Sequence, residues 1–469
     1  MKNRFNVIKL CYGAAYIYLV LPFIIFVLGW CRWYVSVPIF FIVGFSLYSA
    51  IQLHQEKKGI VQLDRSQFLS LIAVFFLIVF WVYLSGIGQF VWQNEDHYYR
   101  NTIFKVLIEY DWPVTSNRGV FLQDHDSVLI YYIGFWLPAA IIGKAFGESV
   151  GVAALFLWAV FGIYIMYLLL CIRRKKISIW PILIIIIFSG LDIVGGLIWP
   201  STSISLLSVE HLERWIGRYQ FSSMTTQLFW VFNQAIPSWI AAMLVFSDEK
   251  KQNIIFVWAA VMLNATLPFI GFLPYILYYA LKDSAFIIDK KLFSIQNVLG
   301  GGCIGIISFL YLAGNGSGGK TGAAGSSILG TIPHLIVFWI LEIGVYLVFA
   351  YRGTGEKKLF WLTFLWLLVI PNIYVGSSID FCMRASIPGL FLVMLWCIDA
   401  LGQYKSRIMF WGLIICLSVG SITALHEIGR TIKYSSTDFE IVYVDESAVM
   451  TEDNFSGERT GIFWEYIAK

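Results

Sequence analysis

The chain has 469 residues, of which 59% are hydrophobic and only 13% are charged. A soluble domain of this size would carry about 25% charged residues, so the composition excludes an ordinary water-soluble protein. The net charge of +4 is small and says nothing about nucleic acid, which we do not expect as a partner. The seven scattered cysteines form no CxxC pair that would support a zinc site or a disulfide framework.

Apolar stretches of about 20 residues recur along the chain and predict an all-α polytopic integral membrane protein with about thirteen transmembrane helices. We treat residues 1–425 as one transmembrane domain and residues 426–469 as a short tail. The predicted spans are 10–31, 34–53, 68–88, 149–172, 177–198, 227–247, 253–265, 268–282, 294–314, 329–351, 359–375, 385–402 and 407–425.

The basic residues set the predicted orientation. The cluster at 173–176 reads Arg-Arg-Lys-Lys, and basic residues favour the cytoplasmic side. That rule is satisfied only if the apolar segment 128–146 lies in the membrane interface instead of crossing it. The N-terminus is then cytoplasmic, and the outer surface carries the loops 89–148 and 199–226 and the tail, which we expect to pack against it.

A dense polar cluster follows the third span. Glu95 and Asp96 are adjacent carboxylates, and His97 and Arg100 follow them as candidate residues for binding the substrate or its phosphate. A partly desolvated carboxylate at a membrane boundary is suited to removing a proton from a hydroxyl group, which makes Glu95 and Asp96 candidate catalytic bases. The alternative is that they cap a short amphipathic helix over Asn94–Glu109, because acidic side chains favour helix N-termini.

Two more groups in the outer loops are candidate ligand sites. Asp124 and Asp126 have DxD spacing, which suits a divalent metal such as Mg²⁺ or Mn²⁺, although a capping turn explains the same residues. His211, Arg214 and Arg218 recur at steps of three and four residues, which would place them on one helix face. Such a basic face suits a lipid-linked phosphate, or else it is simply solvated.

Ionisable residues also occur within or beside the predicted spans. Asp192 lies in 177–198, Glu342 and His334 lie in 329–351, and Arg384 precedes 385–402. Charges inside a membrane are costly and often functional, so Asp192, His334 and Arg384 are candidate substrate-binding residues. Arg384 is best placed to meet a lipid phosphate at the outer end of its span. Asp192 and Glu342 are equally compatible with protonated or paired structural roles.

These features together resemble the GT-C superfamily of polytopic glycosyltransferases. The resemblance covers about residues 68–176 and rests on Glu95-Asp96, on the interfacial segment Leu129–Gly147 and on Arg173-Arg174. The order here is Glu-Asp, whereas the family often has Asp-Glu followed by a tyrosine. Either carboxylate therefore remains a candidate for the base.

The resemblance implies an inverting enzyme at the outer face of a bacterial cytoplasmic membrane. It would move a sugar from a polyprenyl-phosphate or polyprenyl-diphosphate donor to a glycan, lipid or protein hydroxyl, in cell-surface glycan or polysaccharide assembly. Asp96 or Glu95 would be the base, and Arg384 or the His211/Arg214/Arg218 group would bind the phosphate. A divalent metal is a cofactor only if Asp124 and Asp126 bind it.

Two alternatives stay open. An enzyme like the O-antigen polymerases and ligases would use the same lipid substrates but would depend on arginine and histidine more than on a carboxylate. A transporter or flippase for lipid-linked sugars would need polar residues through the membrane midplane.

Overall fold

The computed structural model describes residues 7–54, 64–116, 127–199, 211–217, 219–247, 251–282, 289–316, 321–323, 328–375 and 380–469. Helices dominate these residues. The helices are α1 (Val7–Trp30), α2 (Trp33–Gln52), α3 (Arg65–Leu84), α4 (Glu95–Glu109), α5 (Leu137–Phe146), α6 (Glu148–Arg174), α7 (Trp180–Ile187), α8 (Asp192–Ile198), α9 (Met224–Ser247), α10 (Ile254–Met262), α11 (Thr266–Leu281), α12 (Gly302–Leu312), α13 (Ile328–Trp339), α14 (Val345–Ala350), α15 (Lys357–Val369), α16 (Asp380–Ala385), α17 (Ile387–Leu401), α18 (Arg407–Ser435) and α19 (Glu446–Thr451).

Four short strands form two antiparallel pairs. They are β1 (Ser127–Leu129), β2 (Thr321–Ala323), β3 (Ile373–Val375) and β4 (Ser456–Glu458). Strand β1 pairs with β4, with Val128 opposite Gly457, and β2 pairs with β3, with Gly322 opposite Tyr374.

Eight helices among the described residues are long and apolar enough to cross a membrane, so the chain is an all-α, multi-pass membrane protein. They are Val7–Trp30, Trp33–Gln52, Arg65–Leu84, Glu148–Arg174, Trp180–Ile198, Met224–Ser247, Ile332–Ala350 and Arg407–Ser435. The other apolar helices are shorter, at 10–17 residues. The structure therefore confirms a multi-pass helical membrane protein but does not confirm the predicted number of about thirteen spans.

Two of the predicted spans lose regular helical structure part-way. The span Trp180–Ile198 consists of α7 and α8, which are separated by Phe188–Leu191. The span Ile332–Ala350 contains a π-helical segment at Ile340–Gly344, between α13 and α14. The backbone N–H of Leu191 donates to the carbonyl of Leu341 at 3.1 Å, so the two interruptions lie side by side.

The segment 128–146 is not a continuous helix. It begins in strand β1, forms a 3₁₀ turn at Gly134–Trp136 and then continues as α5. The helical part rises about 20 Å, which is shorter than the apolar core of a bilayer, about 30 Å. Lys144 in its last turn donates to the carbonyl oxygens of Ile108 and Tyr110 and ties α5 to the end of α4.

Helix α9 occupies the centre of the bundle. It packs against α6, α10, α17 and α18, and its residues are buried on all sides. Several of them are polar, including Asn233 and Gln234, whose amide groups have no hydrogen-bond partner in the described part of the chain. By contrast, α2 and α3 keep broad apolar faces exposed, as a lipid-contacting helix does.

The C-terminal tail packs against α4. Asn101 donates to the carbonyl of Val442, Thr102 donates to the carbonyl of Val444, and Tyr99 donates to Glu452. The alternating pattern at Phe439–Val444 favours a strand, but these residues form none. Side chains of α4, instead of a neighbouring strand, satisfy the two carbonyls.

Candidate active site

The turn after α3 places the start of α4 against the bundle. Gly86 and Gly88 have positive φ angles of 86° and 93°, a conformation that residues with a Cβ rarely adopt. The amide of Gln93 donates to the carbonyl of Gly86 at 2.8 Å and closes the turn. Helix α4 then begins at Glu95, as the polar pattern over Asn94–Glu109 predicts.

A kink in α9 anchors this helix start. Val231 has the non-helical angles φ −138° and ψ 38°. A break of this kind frees a carbonyl oxygen from its usual helical partner. The carbonyl of Phe229 accepts from the side-chain amide of Asn94 at 2.9 Å and contacts Nε2 of His97 at 3.0 Å. Two α4 side chains thereby fix the N-terminus of α4 to the central helix.

Of the two predicted carboxylates, only Asp96 is engaged by a cation. Its Oδ2 accepts from Nη2 of Arg100 at 2.8 Å, one helical turn along α4. The Arg100 side chain is only 5% exposed, whereas 39% of the Asp96 side chain remains accessible. Glu95 is exposed and enters none of the described ion pairs. Asp96 is therefore a recessed carboxylate that a ligand can still reach.

A second arginine approaches Asp96 from α16. Nη1 of Arg384 donates to the hydroxyl of Tyr132 at 2.8 Å, and Nη2 lies 3.3 Å from Asp380. The hydroxyl of Tyr131 donates to that of Tyr132. We call Asp96, Arg100, Tyr131, Tyr132, Asp380 and Arg384 the Asp96 cluster.

The charges of the cluster set the protonation of its members. Burial would by itself raise the pKa of Asp96, but the nearby charges of Arg100 and Arg384 outweigh it and hold the pKa below its usual range. Burial likewise favours a neutral Arg384, but Asp380 and the two tyrosines oppose this and raise its pKa. Asp96 is ionised and Arg384 is charged at neutral pH.

The cluster holds more hydrogen-bond donors than it uses. In the described part of the chain, Nε and Nη1 of Arg100 and Nε of Arg384 are buried without an acceptor. Arg100 also lines a narrow cleft with room for about one water molecule, together with Gln93, Asn101 and Phe232. Buried donors normally find an acceptor, so the site suits a ligand rich in oxygen atoms.

The structure holds His97, a predicted substrate-binding residue, by contacts within the protein. His97 is buried, with Nε2 against the carbonyl of Phe229 and Nδ1 at 3.3 Å from the amide of Gln93. The carbonyl can only accept, so Nε2 carries the proton and Nδ1 accepts. Burial, followed by the charge of Arg100, lowers the pKa of His97 to about 3. His97 is a neutral structural residue that fixes α4.

The α-helix that would align His211, Arg214 and Arg218 on one face is not present over residues 211–217. Residues Leu212–Arg214 make only a 3₁₀ turn, Arg214 is exposed, and Arg218 lies outside the described residues. His211 is buried against the ring of Trp230, with Nδ1 at 3.3 Å from a carboxyl oxygen of Glu427. A single 3₁₀ turn cannot align residues four apart as an α-helix does.

Glu427 and Arg430 form a buried ion pair that was not predicted. Nη2 of Arg430 donates to Glu427 at 2.7 Å, and Nε1 of Trp230 donates to the same oxygen at 2.9 Å. Both charged side chains are 1% exposed. The last span was predicted to end at 425, but α18 continues to Ser435. The three-residue spacing of Glu427 and Arg430 would have indicated this ion pair if the last helix had been predicted to continue past 425.

The remaining candidates lie elsewhere. Asp192 is buried beside Glu342, at the interruptions described above, and does not join the Asp96 cluster. His334 is half-buried, with its ring 4.4 Å from that of Trp199. Burial and the charge of Asp192 raise the pKa of Glu213, a third carboxyl group near this region.

Asp124 and Asp126 lie outside the described residues. Within the described ranges, no group of three or more His, Cys, Asp or Glu side chains is arranged to hold a metal ion.

We compared the chain with protein-family models, with curated proteins and with solved structures, and none of the three comparisons gave a match.

Proposed function

We propose that the chain is a membrane glycosyltransferase that moves a sugar from a polyprenyl-phosphate or polyprenyl-diphosphate donor to an acceptor hydroxyl. Asp96 is the general base. The observation that carries this proposal is the environment of Asp96, which is accessible, ionised and flanked by Arg100 and Arg384. Arginine is well matched to phosphate because its planar group presents several donors.

In the proposed reaction, Asp96 accepts the proton of the acceptor hydroxyl while that oxygen attacks the anomeric carbon. The bond between the sugar and the carrier phosphate breaks, and the phosphate leaves with the bonding electrons. Attack opposite the leaving group inverts the anomeric centre. Arg384, which is 12% exposed, and the unused donors of Arg100 stabilise the negative charge that develops on the phosphate.

The same arrangement links donor binding to the strength of the base. Without a ligand, the two arginines hold Asp96 in its ionised but weakly basic form. A carrier phosphate bound to these arginines offsets their charge and raises the proton affinity of Asp96. Asp96 then becomes a stronger base only when the donor is in place.

The resemblance to the GT-C superfamily supports the same assignment, because it relates the first-loop carboxylate to Glu95 or Asp96. The ion pair with Arg100 favours Asp96. We place the site at the extracytoplasmic face of a bacterial cytoplasmic membrane, as the positive-inside rule predicts.

The test compares two neighbouring amide substitutions. Purified protein in nanodiscs receives a panel of polyprenyl-linked sugars, and transfer is measured for wild type, Asp96→Asn and Glu95→Gln, each with and without EDTA. We expect Asp96→Asn to lower kcat by at least about 100-fold, while Glu95→Gln stays near wild type.

The other outcomes of this experiment overturn parts of the proposal. Transfer that survives Asp96→Asn favours the arginine-dependent polymerase or ligase class. Loss of transfer only in Glu95→Gln moves the base to Glu95. Inhibition by EDTA supports Mg²⁺ or Mn²⁺ bound by Asp124 and Asp126.

A transporter of lipid-linked sugars is the second candidate. It is favoured by the position of Asp192 and Glu342, two carboxyl groups buried together where two spans are interrupted. Interrupted helices with buried polar groups are common at transport sites. Bound donor that is never consumed, together with its movement across a proteoliposome membrane, supports this candidate instead.

A further inference from the structure

Asp192 and Glu342 come together in the interior of the bundle. Asp192 begins α8 just after the break between α7 and α8, and Glu342 lies in the π-helical segment Ile340–Gly344. Their side chains are 1% and 3% exposed and are in hydrogen-bond contact with each other. Two carboxyl groups in such contact need a proton between them, because a carboxylate can only accept.

The other contacts of Asp192 and Glu342 do not supply a hydrogen-bond donor between the two carboxyl groups. One oxygen of Asp192 accepts from Ser189 and Thr423, both at 2.8 Å. One oxygen of Glu342 accepts from Nε1 of Trp215 at 2.9 Å. The second oxygen of each carboxyl group is buried and has no donor among the described residues.

The charged surroundings do not balance two negative charges. Glu213 faces the pair from the 3₁₀ turn Leu212–Arg214, Tyr346 faces it from α14, and Cys382 faces Glu342 from α16. Within the described ranges no Lys, Arg or His forms an ion pair with Asp192 or Glu342. The nearby Glu427 is already paired with Arg430.

We infer that Asp192 and Glu342 form a proton-binding site in the membrane interior, where one proton is shared between the two carboxyl groups. An isolated ionised carboxylate is expensive to bury, and two in contact repel each other. One bound proton removes the repulsion and supplies the missing donor. The site is separate from the Asp96 cluster and does not depend on the proposed sugar transfer.

The packing fixes the geometry of the pair. A Cβ added at Gly190 would lie 1.8 Å from Oε2 of Glu342, so the carboxyl group of Glu342 rests directly on the glycine backbone. The hydrogen bond from Leu191 to Leu341 holds the two chain segments at this distance.

Infrared spectroscopy tests the shared proton directly. We expect wild-type protein at neutral pH to show the C=O band of a protonated carboxylic acid, with the shift in deuterated buffer that marks an exchangeable proton. Asp192→Asn/Glu342→Gln should lose the part of this band that the pair contributes, because amides of nearly the same shape replace both groups. Asp399→Asn is the matched control, since Asp399 is a carboxylate paired with Arg173 at 2.6 Å and should not contribute to the band.

A second measurement tests the inference even if the double variant fails to fold. The melting temperature of wild type should fall as the pH rises from about 4, the ordinary pKa of these carboxyl groups, because the unfolded chain then loses the proton that the folded state still holds. Glu342→Gln alone should flatten this dependence. A wild-type spectrum identical to that of the double variant, or pH profiles identical in wild type and Glu342→Gln, overturns the inference. Stabilisation of wild type by Na⁺ at constant ionic strength, absent in Glu342→Gln, makes the ligand a metal ion and also overturns it.

Discussion

Nε2 of His97 donates a hydrogen bond to the carbonyl oxygen of Phe229, 3.0 Å away, and this contact joins the helix of the candidate site to the centre of the bundle. The carbonyl is available because α9 kinks at Val231. We therefore expect His97 to position Asp96 by fixing the start of α4.

Replacement of His97 should therefore act on stability. We expect His97→Gln to destabilise the protein by about 1–3 kcal/mol, the usual cost of an unsatisfied buried polar group. Thermal unfolding in detergent measures this effect, and donor affinity in the folded fraction should stay near wild type. A large loss of donor affinity without a loss of stability would show that His97 takes part in donor binding.

The same residue predicts a pH dependence. The folded-state pKa of about 3 lies below the unfolded value of about 6.5. The contribution of neutral His97 is therefore fully present above about pH 6.5 and is lost as the pH falls toward about 3. Wild type should lose stability across this window more steeply than His97→Gln. Parallel profiles would contradict the prediction.

Arg100 should control the acid limb of the activity. Its charge is the largest influence that lowers the pKa of Asp96, so Arg100→Met should raise that pKa. The acid limb of kcat/KM, measured against pH, should move to higher pH, and the activity at its plateau should fall. Lys105→Met is the control on the same helix, because Lys105 pairs with Glu446 and not with Asp96. If activity is lost but the acid limb does not move, Arg100 does not control the pKa of Asp96.

Gly190 should tolerate no side chain. In Gly190→Ala the added Cβ must displace Glu342, and we expect a loss of about 1–3 kcal/mol in unfolding free energy, as for other overpacked sites. Gly302→Ala is the control, because nothing lies within 4 Å of a Cβ at that position in α12. Equal melting temperatures for the two variants would show that Glu342 can move away at little cost.

The tail should stabilise α4 through specific hydrogen bonds. The one proton of the Thr102 hydroxyl is shared between the carbonyls of Val444, at 2.9 Å, and Tyr98, at 3.2 Å. Thr102→Val keeps the shape and removes both contacts, so we expect faster amide exchange in α4 and a loss of about 1 kcal/mol. Thr363→Val is the matched control, since the hydroxyl of buried Thr363 donates to Leu359 of its own helix, away from the tail. Exchange unchanged by Thr102→Val would mean that the tail does not hold α4.

The interruptions of the spans could not be predicted from the sequence. The apolar run 177–198 predicts one helix, because hydropathy averages over residues and does not detect a four-residue break such as Phe188–Leu191. Stabilising partners for the freed backbone groups lie far along the chain. The carbonyl of Ile186 accepts from Thr225, and that of Phe188 accepts from the N–H of Met224.

The sequence by itself determined the membrane character of the chain and the position of α4. Both depend on local properties, namely the length of apolar runs and the preference of acidic residues for helix N-termini. The ion pair between Asp96 and Arg100 is also local, because the two residues lie four apart on one helix. Tertiary structure alone decided that Asp96 lies near Arg384 and that Asp192 meets Glu342. These contacts join residues of different helices, and they follow from how kinked and interrupted helices pack, which no local pattern encodes.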